Sequence, residues 1–298
     1  MRAMDEPLRV GLVGAGPWAI STHAPGLADH PGTTLTTVWA RREEAARPLS
    51  EQYGASVSTS FDELLDQVDA VAFAVPPAVQ AELGVLAAER GKHLILEKPI
   101  APDLATATRL ADAVEGAGVA ALVLLTLRYT MAAQEWLSGL AAAGGWRGGA
   151  ARWLSGALLG DGYRDSSWRH HDGALADVGP HALDFLDAAL GPIDRVLAAN
   201  RTPEDLWHLM LQHDGGAVST ATLSLKLPVQ PTVVEVAVYG EHGYRTLGRK
   251  PGSREESYTT LLDDFAAMIA SGTTEHPCDV HRGVHLQRLL DEARALAA

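Results

Sequence analysis

Among the side chains of the types that take a proton from a hydroxyl group or return one, Lys98, at the end of an apolar run, and Asp177 and His181, in the run Asp-Val-Gly-Pro-His, stand out by placement. An imidazole titrates near neutral pH, so His181 can work in either direction. An ammonium such as that of Lys98 stabilises the alkoxide that develops between the two states. Asp177 and His181 stand four positions apart, so on a helical turn they share one face. Changing the oxidation state of the carbon also requires a hydride carrier, and the run Gly14-Ala15-Gly16-Pro17-Trp18-Ala19 offers a place for one. This G-x-G-x-x-A follows an apolar run directly. Its glycines permit a tight turn and let backbone approach a pyrophosphate, while the next helix points its positive end at the same anion.

The second apolar run ends Val38-Trp39-Ala40-Arg41-Arg42. Chains that bind NAD carry Asp or Glu about 20 residues past the glycines, where it holds the ribose hydroxyls. No acid stands here. Arg41 and Arg42 suit adenine stacking and a 2′-phosphate, which favours NADP(H) over NAD(H). The competing reading is two solvated arginines at a helix start. His170-His171 invites a metal reading, but neither cysteine partners nor H-E-x-x-H spacing supports it, and no metal is expected. The lone cysteine, Cys278, allows no intramolecular disulfide and fits a reducing cytoplasm.

These residues need elements to hold them. With 298 residues the chain fits two domains, and at 47% hydrophobic it can build large cores. In the first 125 residues, near-continuous apolar runs (LRVGLV, TTLTTVWA, AVAFAV, HLILE, AALVLLT) alternate with helical patterns. That order predicts βαβ units and a doubly wound parallel sheet. After residue 126 a helix at 131–143 and a Gly/Trp/Arg-rich patch lead into ARWLSGALL. Then IDRVLAAN, DLWHLMLQHD, AVSTATLSL and TVVEVAVYG follow with turns and no crossover helix, which predicts an antiparallel sheet. Helices near 257–271 and 280–297 close the chain. The expected division is a dinucleotide-binding Rossmann domain, 1–126, and an α+β substrate and oligomerisation domain, 127–298, with the last helix allowed to pack back on the first. Formal charge is −13, which argues against nucleic acid or an anionic membrane as partner. The polar start, residues 1–7, does not read as a signal peptide, and no run of about 18 apolar residues predicts a membrane span.

Taken in order, GAGPWA, AVPP, Glu97-Lys98-Pro99, Trp168-Arg169 and D-x-G-x-H (Asp177 to His181) resemble the Gfo/Idh/MocA family of oxidoreductases over nearly the whole chain. The resemblance implies a second domain with a large, mostly antiparallel, open-faced sheet that assembles a homodimer or homotetramer. It also implies a sugar, cyclitol or related polyol as substrate, interconverted between secondary alcohol and ketone. Lys98 would bind the reacting oxygen, His181 would transfer the proton, and Asp177 would be its companion. Gly14, Gly16, Pro17, Trp18, Arg41, Arg42, Pro76, Glu97, Lys98 and Arg128 would hold the cofactor. Trp168 and Arg169 would line the substrate site with Lys98, Asp177 and His181. Departures stand beside this. Gln80 replaces a common His after AVPP, and Asp172-Gly173-Ala174 replaces a glycine triplet. Two other readings remain at this level: a non-catalytic dinucleotide-binding regulator, and a glycosidase that oxidises transiently. Substrate identity, stereochemistry and direction are not legible here.

Overall fold

The apolar runs of the first 125 residues become the strands of a parallel sheet in a computed structural model, which describes residues 6–160, 167–248 and 252–297. Most of the polar start, residues 1–5, lies outside the described residues. β1 (Leu8–Val13), β2 (Thr33–Trp39), β3 (Ser56–Val57), β4 (Ala70–Phe73), β5 (His93–Leu96) and β6 (Ala121–Val123) lie in the order β3-β2-β1-β4-β5-β6. Val10, Leu12, Val71, Phe73, Leu94 and Ile95 are wholly buried, as expected for strands covered on both faces. The helices between them are α1 (Ala24–Asp29), α2 (Glu43–Tyr53), α3 (Phe61–Gln67), α4 (Pro77–Glu89) and α5 (Leu104–Ala117). A wide turn, Ala19–His23, leads into α1. Local signals fix the starts of two of them: Ser60 caps α3 by accepting from the Glu63 N–H, and Asp103 caps α5 by accepting from Thr106.

The remaining elements are α6 (Met131–Ala143), β7 (Trp146–Leu154), α7 (Ser167–Asp177), α8 (Gly179–Leu190), β8 (Ile193–Arg201), β9 (Trp207–His213), β10 (Val218–Ser224), β11 (Val233–Gly240), β12 (Gly243–Gly248), α9 (Arg254–Ser271) and α10 (Val280–Leu296). The second sheet has the order β12-β11-β7-β10-β9-β8, antiparallel throughout except for the parallel pair β7/β10. Its inner face carries Trp207, Leu209, Leu211, Ala221 and Leu223, and packs on α8, which is buried along most of its length. The opposite face holds an uncharged row, Ala198-Met210-Thr220-Ala150-Ala237-Thr246, in register across all six strands.

The chain separates into two compact units, Met1–Leu124 with Arg254–Val284, and Leu125–Ser253 with His285–Ala298. A single cut near residue 126 therefore misses a return. α9 and the start of α10, as far as Val284, belong to the first unit, and Tyr258, Leu261, Leu262 and Phe265 form a buried face on α9. The edge strand β6 is also covered: Val123 donates to the Cys278 carbonyl and Leu122 bridges to Asp279. Two strand readings change as well. The Gly/Trp/Arg-rich patch is already part of β7, which begins at Trp146, and β12 is a strand that the pattern did not suggest.

Candidate functional site

In the first unit, parallel pairing brings the carboxyl ends of β1, β2, β4 and β5 to one edge. Gly14, Gly16, Pro17 and Trp18 follow β1, Arg41 and Arg42 follow β2, Pro76 follows β4, and Glu97 and Lys98 follow β5. Strand order reverses between β1 and β4, which is where open α/β sheets bind ligands. Gly14 has φ 111°, and a Cβ there would collide with the Ala74 carbonyl oxygen, so only glycine fits. Its N–H donates to the Trp39 carbonyl at 2.8 Å, which ties the glycine turn to the end of β2. A Cβ on Gly16, by contrast, would meet no atom within 4 Å. The Trp18 Nε1–H is buried with no hydrogen-bond partner among the described residues, and the Arg254 guanidinium lies 5.0 Å above its ring. Open space over Gly16, an unsatisfied donor and a nearby cation fit an anionic pyrophosphate. Arg41 and Arg42 are exposed, and no carboxylate among the described residues pairs with either.

The Lys98–Pro99 peptide bond is cis, and Lys98 is half-buried. Glu97 is held by two side chains. Gln80 pairs with its backbone N–H and C=O, and His23 approaches its carboxylate, with Nε2 2.9 Å from Oε1. Gln80 is fully buried against this turn, so its side chain is engaged with the residues around Lys98. His23 is itself buried and hydrogen-bonded through both ring nitrogens.

The second unit gathers Trp168, Arg169, Asp177 and His181. Arg169 Nε donates to Asp177 Oδ2 at 3.1 Å, and its guanidinium covers the Trp168 ring at 4.4 Å. One face of Trp168 is thus taken by Arg169. Asp177 ends α7 and His181 lies in the first turn of α8, so the pair straddles a helix junction at Val178. Val178 is the N-cap residue of α8. The junction continues through Val178 N–H to Ala174 O and Ala182 N–H to Val178 O. The imidazole of His181 stacks on the Trp153 indole, with ring centres 5.5 Å apart and planes at 24°.

Behind this pair stands Asp205, wholly buried at φ 61°. Its carboxylate accepts from Ala174 N at 2.7 Å and Trp207 Nε1 at 2.9 Å, and pairs with Arg201 at 3.1 Å. The Ala174 bond seats the last turn of α7, which Gly173 (φ 69°) sets off from the first part of the helix. A Cβ on Gly173 would collide with both Asp205 oxygens. Arg128 belongs to this second unit, where Nη1 donates to both oxygens of the buried Asp184 at 3.1 and 3.2 Å. That bond lies within one unit. His170 and His171 are exposed, and no group of three metal-ligating side chains is found among the described residues. Sequence reasoning missed Trp153, Asp205, Tyr258 and Arg254. No spacing links 153 to 181 or 205 to 174; only the fold makes them neighbours.

These features define a class: an α/β chain with a Rossmann-type parallel sheet and a second, sheet-backed unit that carries a carboxylate and an imidazole at a helix junction. Residues 8–125 match the model of the oxidoreductase family with NAD-binding Rossmann fold, and residues 147–245 match the GFO/IDH/MocA C-terminal domain. The chain belongs to the Gfo/Idh/MocA family of oxidoreductases. It is 36% identical over 107 residues to dTDP-3,4-didehydro-2,6-dideoxy-alpha-D-glucose 3-reductase from Streptomyces violaceoruber, a stretch covering 35% of this chain and 31% of that protein. The chain thus spans well under half the length of the curated relatives it matches first. Among solved structures, GenD2 from gentamicin A biosynthesis, in complex with NAD, superposes with a TM-score of 0.87 at 22% identity over 99% of this chain and 95% of that one. KijD10, a 3-ketoreductase from Actinomadura kijaniata in complex with NADP, gives 0.79 at 19% identity over 98% of each chain. These likenesses are of fold. No helix among the described residues is long and apolar enough to cross a membrane.

Proposed function

We propose that the chain interconverts a secondary alcohol and a ketone on a sugar, cyclitol or related polyol, using NADP(H) in preference to NAD(H). The observation that carries this reading is the Asp177–His181 junction: a carboxylate and an imidazole, both nearly buried, on a hydrogen-bonded turn backed by Trp153 and Asp205. Arg169 on Asp177 and Trp153 on His181 hold the pair in one geometry. In the oxidising direction His181 takes the hydroxyl proton, and Lys98 donates a hydrogen bond to the oxygen as negative charge grows on it. In the reducing direction the same groups act in reverse. Asp177 holds a substrate hydroxyl and orients His181. The dinucleotide, when bound, accepts or supplies the hydride at the carbon.

Gly14, Gly16, Pro17, Trp18, Pro76 and Glu97 would cradle the dinucleotide, with Arg41 and Arg42 on a 2′-phosphate and Arg254 added to the phosphate side. The unpaired guanidinium groups and the absence of an acid after β2 support the choice of NADP(H). The relatives support a sugar-type substrate, since one is named as a deoxysugar 3-reductase and a solved neighbour as a 3-ketoreductase. A purely regulatory role is disfavoured because Lys98, Asp177 and His181 are all intact. The uncharged outer row of the second sheet supports a homodimer or homotetramer, and the single cysteine supports a cytoplasmic setting. The test is a cofactor-coupled screen of sugars, ketosugars and cyclitols with NADP(H) and NAD(H). The reading expects turnover on a polyol and a lower KM for NADP(H). Absence of hydride transfer to every member would remove it.

A further inference from the structure

The turn that carries Lys98 is gripped by side chains to which the chemistry above gives no part. Gln80 Nε2 donates to the Glu97 carbonyl at 2.7 Å and to the Ile100 carbonyl at 3.2 Å. Its Oε1 accepts from the Glu97 N–H at 2.8 Å. One fully buried amide thus ties residue 97 to residue 100 across the two residues between them, Lys98 and Pro99. The Glu97 carboxylate is gripped separately. His23 Nε2 lies 2.9 Å from Oε1, and His23 Nδ1 lies 2.8 Å from the Tyr258 hydroxyl. Tyr258 belongs to α9, far along the chain, yet it sits wholly within the first unit's core. Gly26 admits its ring, since a Cβ there would collide with it.

The hydrogens in this chain can be assigned. Burial, helped by the charge of Glu97, pushes the Tyr258 hydroxyl well above its ordinary pKa of 10, so it keeps its proton. A buried O–H donates, and the partner here is His23 Nδ1. In a neutral imidazole that leaves Nε2 as the protonated nitrogen, which donates to Glu97. The phenol therefore selects the imidazole tautomer that can hold the carboxylate. Burying three polar side chains around one residue carries a desolvation cost that apolar closure of a loop would avoid.

We propose that Gln80, His23 and Tyr258 are positioning residues that fix Glu97 and, through it, the Lys98 ammonium, so that α9 contributes to catalysis from outside the Rossmann sequence. This rests on the reading of Lys98 given above.

Four single variants and one double variant test it, each followed by melting temperature, calorimetric Kd for NADP+, and kcat and KM. Tyr258→Phe removes one hydroxyl and little volume. Gln80→Glu is isosteric and replaces the double donor with an acceptor. His23→Gln keeps a donor facing Glu97 and needs no hydroxyl to select a tautomer, whereas His23→Asn keeps polarity only on the Tyr258 side. Tyr258→Phe, Gln80→Glu and His23→Asn should lose about 10- to 100-fold in kcat, because small displacements of a reacting group cost that much. KM for the polyol should stay within about threefold, as no substrate contact is removed. The NADP+ Kd should rise about threefold to tenfold, because Glu97, which cradles the dinucleotide in the reading above, loses part of its support. His23→Gln should recover most of the kcat loss, and adding Tyr258→Phe to it should cost nothing more. Wild-type kcat and Kd in both Tyr258→Phe and Gln80→Glu would overturn the inference. So would a loss that tracks melting temperature and is not recovered by His23→Gln. Lys98→Ala is the control. If it turns over normally, the reading of Lys98 fails; if it is inactive while the clamp variants are normal, only the present inference fails.

Discussion

His181 rests flat on the Trp153 indole, and the turn before it is pinned by the Asp205 carboxylate. These contacts decide how much freedom the proposed proton-transfer group has. Trp153→Leu keeps the inner face of the sheet apolar but removes the flat support. It should lower kcat about tenfold through misplacement of the imidazole while leaving the NADP+ Kd unchanged, as read by steady-state kinetics and calorimetry. Gly173→Ala should destabilise the chain by about 1–3 kcal/mol in urea titration, from a strained positive φ and the collision with Asp205. Lys98, Asp177 and His181 could be nominated from the sequence because residue type, the place of Lys98 after an apolar run and the spacing of the other two single them out. Trp153 and Asp205 were not, since their role exists only once strands distant in sequence are paired.

The helices and strands of the first sheet follow the alternation of apolar runs, because strands buried on both faces leave an unmistakable pattern. β7 was harder to read. Gly148 and Gly149 lower its strand propensity, and it gains stability from β10 and β11, neither adjacent in sequence. β12 pairs only with β11 and is mostly exposed, so it carries little apolar signal. The placement of α9 was illegible for a different reason: an apolar helix face does not state which core it joins. One consequence concerns His93 at the start of β5. Its Nδ1 accepts from the Ala120 N–H, and its ring meets the edge of Phe265 on α9. Burial lowers its pKa below the ordinary 6.5, with Asp69 opposing. The unfolded chain therefore binds this proton first as pH falls. The stability contributed is complete above about pH 6.5 and is lost as pH drops toward the lower folded-state value. Melting temperature should fall between pH 7 and pH 5, and His93→Gln should flatten that part of the curve.

At the scale of the whole molecule, a net charge of −13 keeps a strongly acidic surface, yet one face of the second sheet presents an uncharged row centred on Met210 and Thr220. If that face assembles copies of the chain, Met210→Arg with Thr220→Arg should shift the light-scattering mass to that of a monomer without changing the circular dichroism. The two units supply different parts of the proposed reaction, the dinucleotide edge with Lys98 on one and the Asp177–His181 junction on the other. The central claim is that Lys98 and His181 both take part in hydride-transfer chemistry at a hydroxyl carbon. The most direct test is transfer of deuterium from the C4 position of reduced, labelled NADPH to a ketosugar, in the wild type and in Lys98→Ala and His181→Ala. The account predicts label at the carbinol carbon of the product, and a loss of about 10²–10⁴ in turnover in each variant, with His181→Ala still binding NADPH at near wild-type affinity. Wild-type turnover in both variants, or no label reaching any ketosugar or cyclitol ketone, would contradict it.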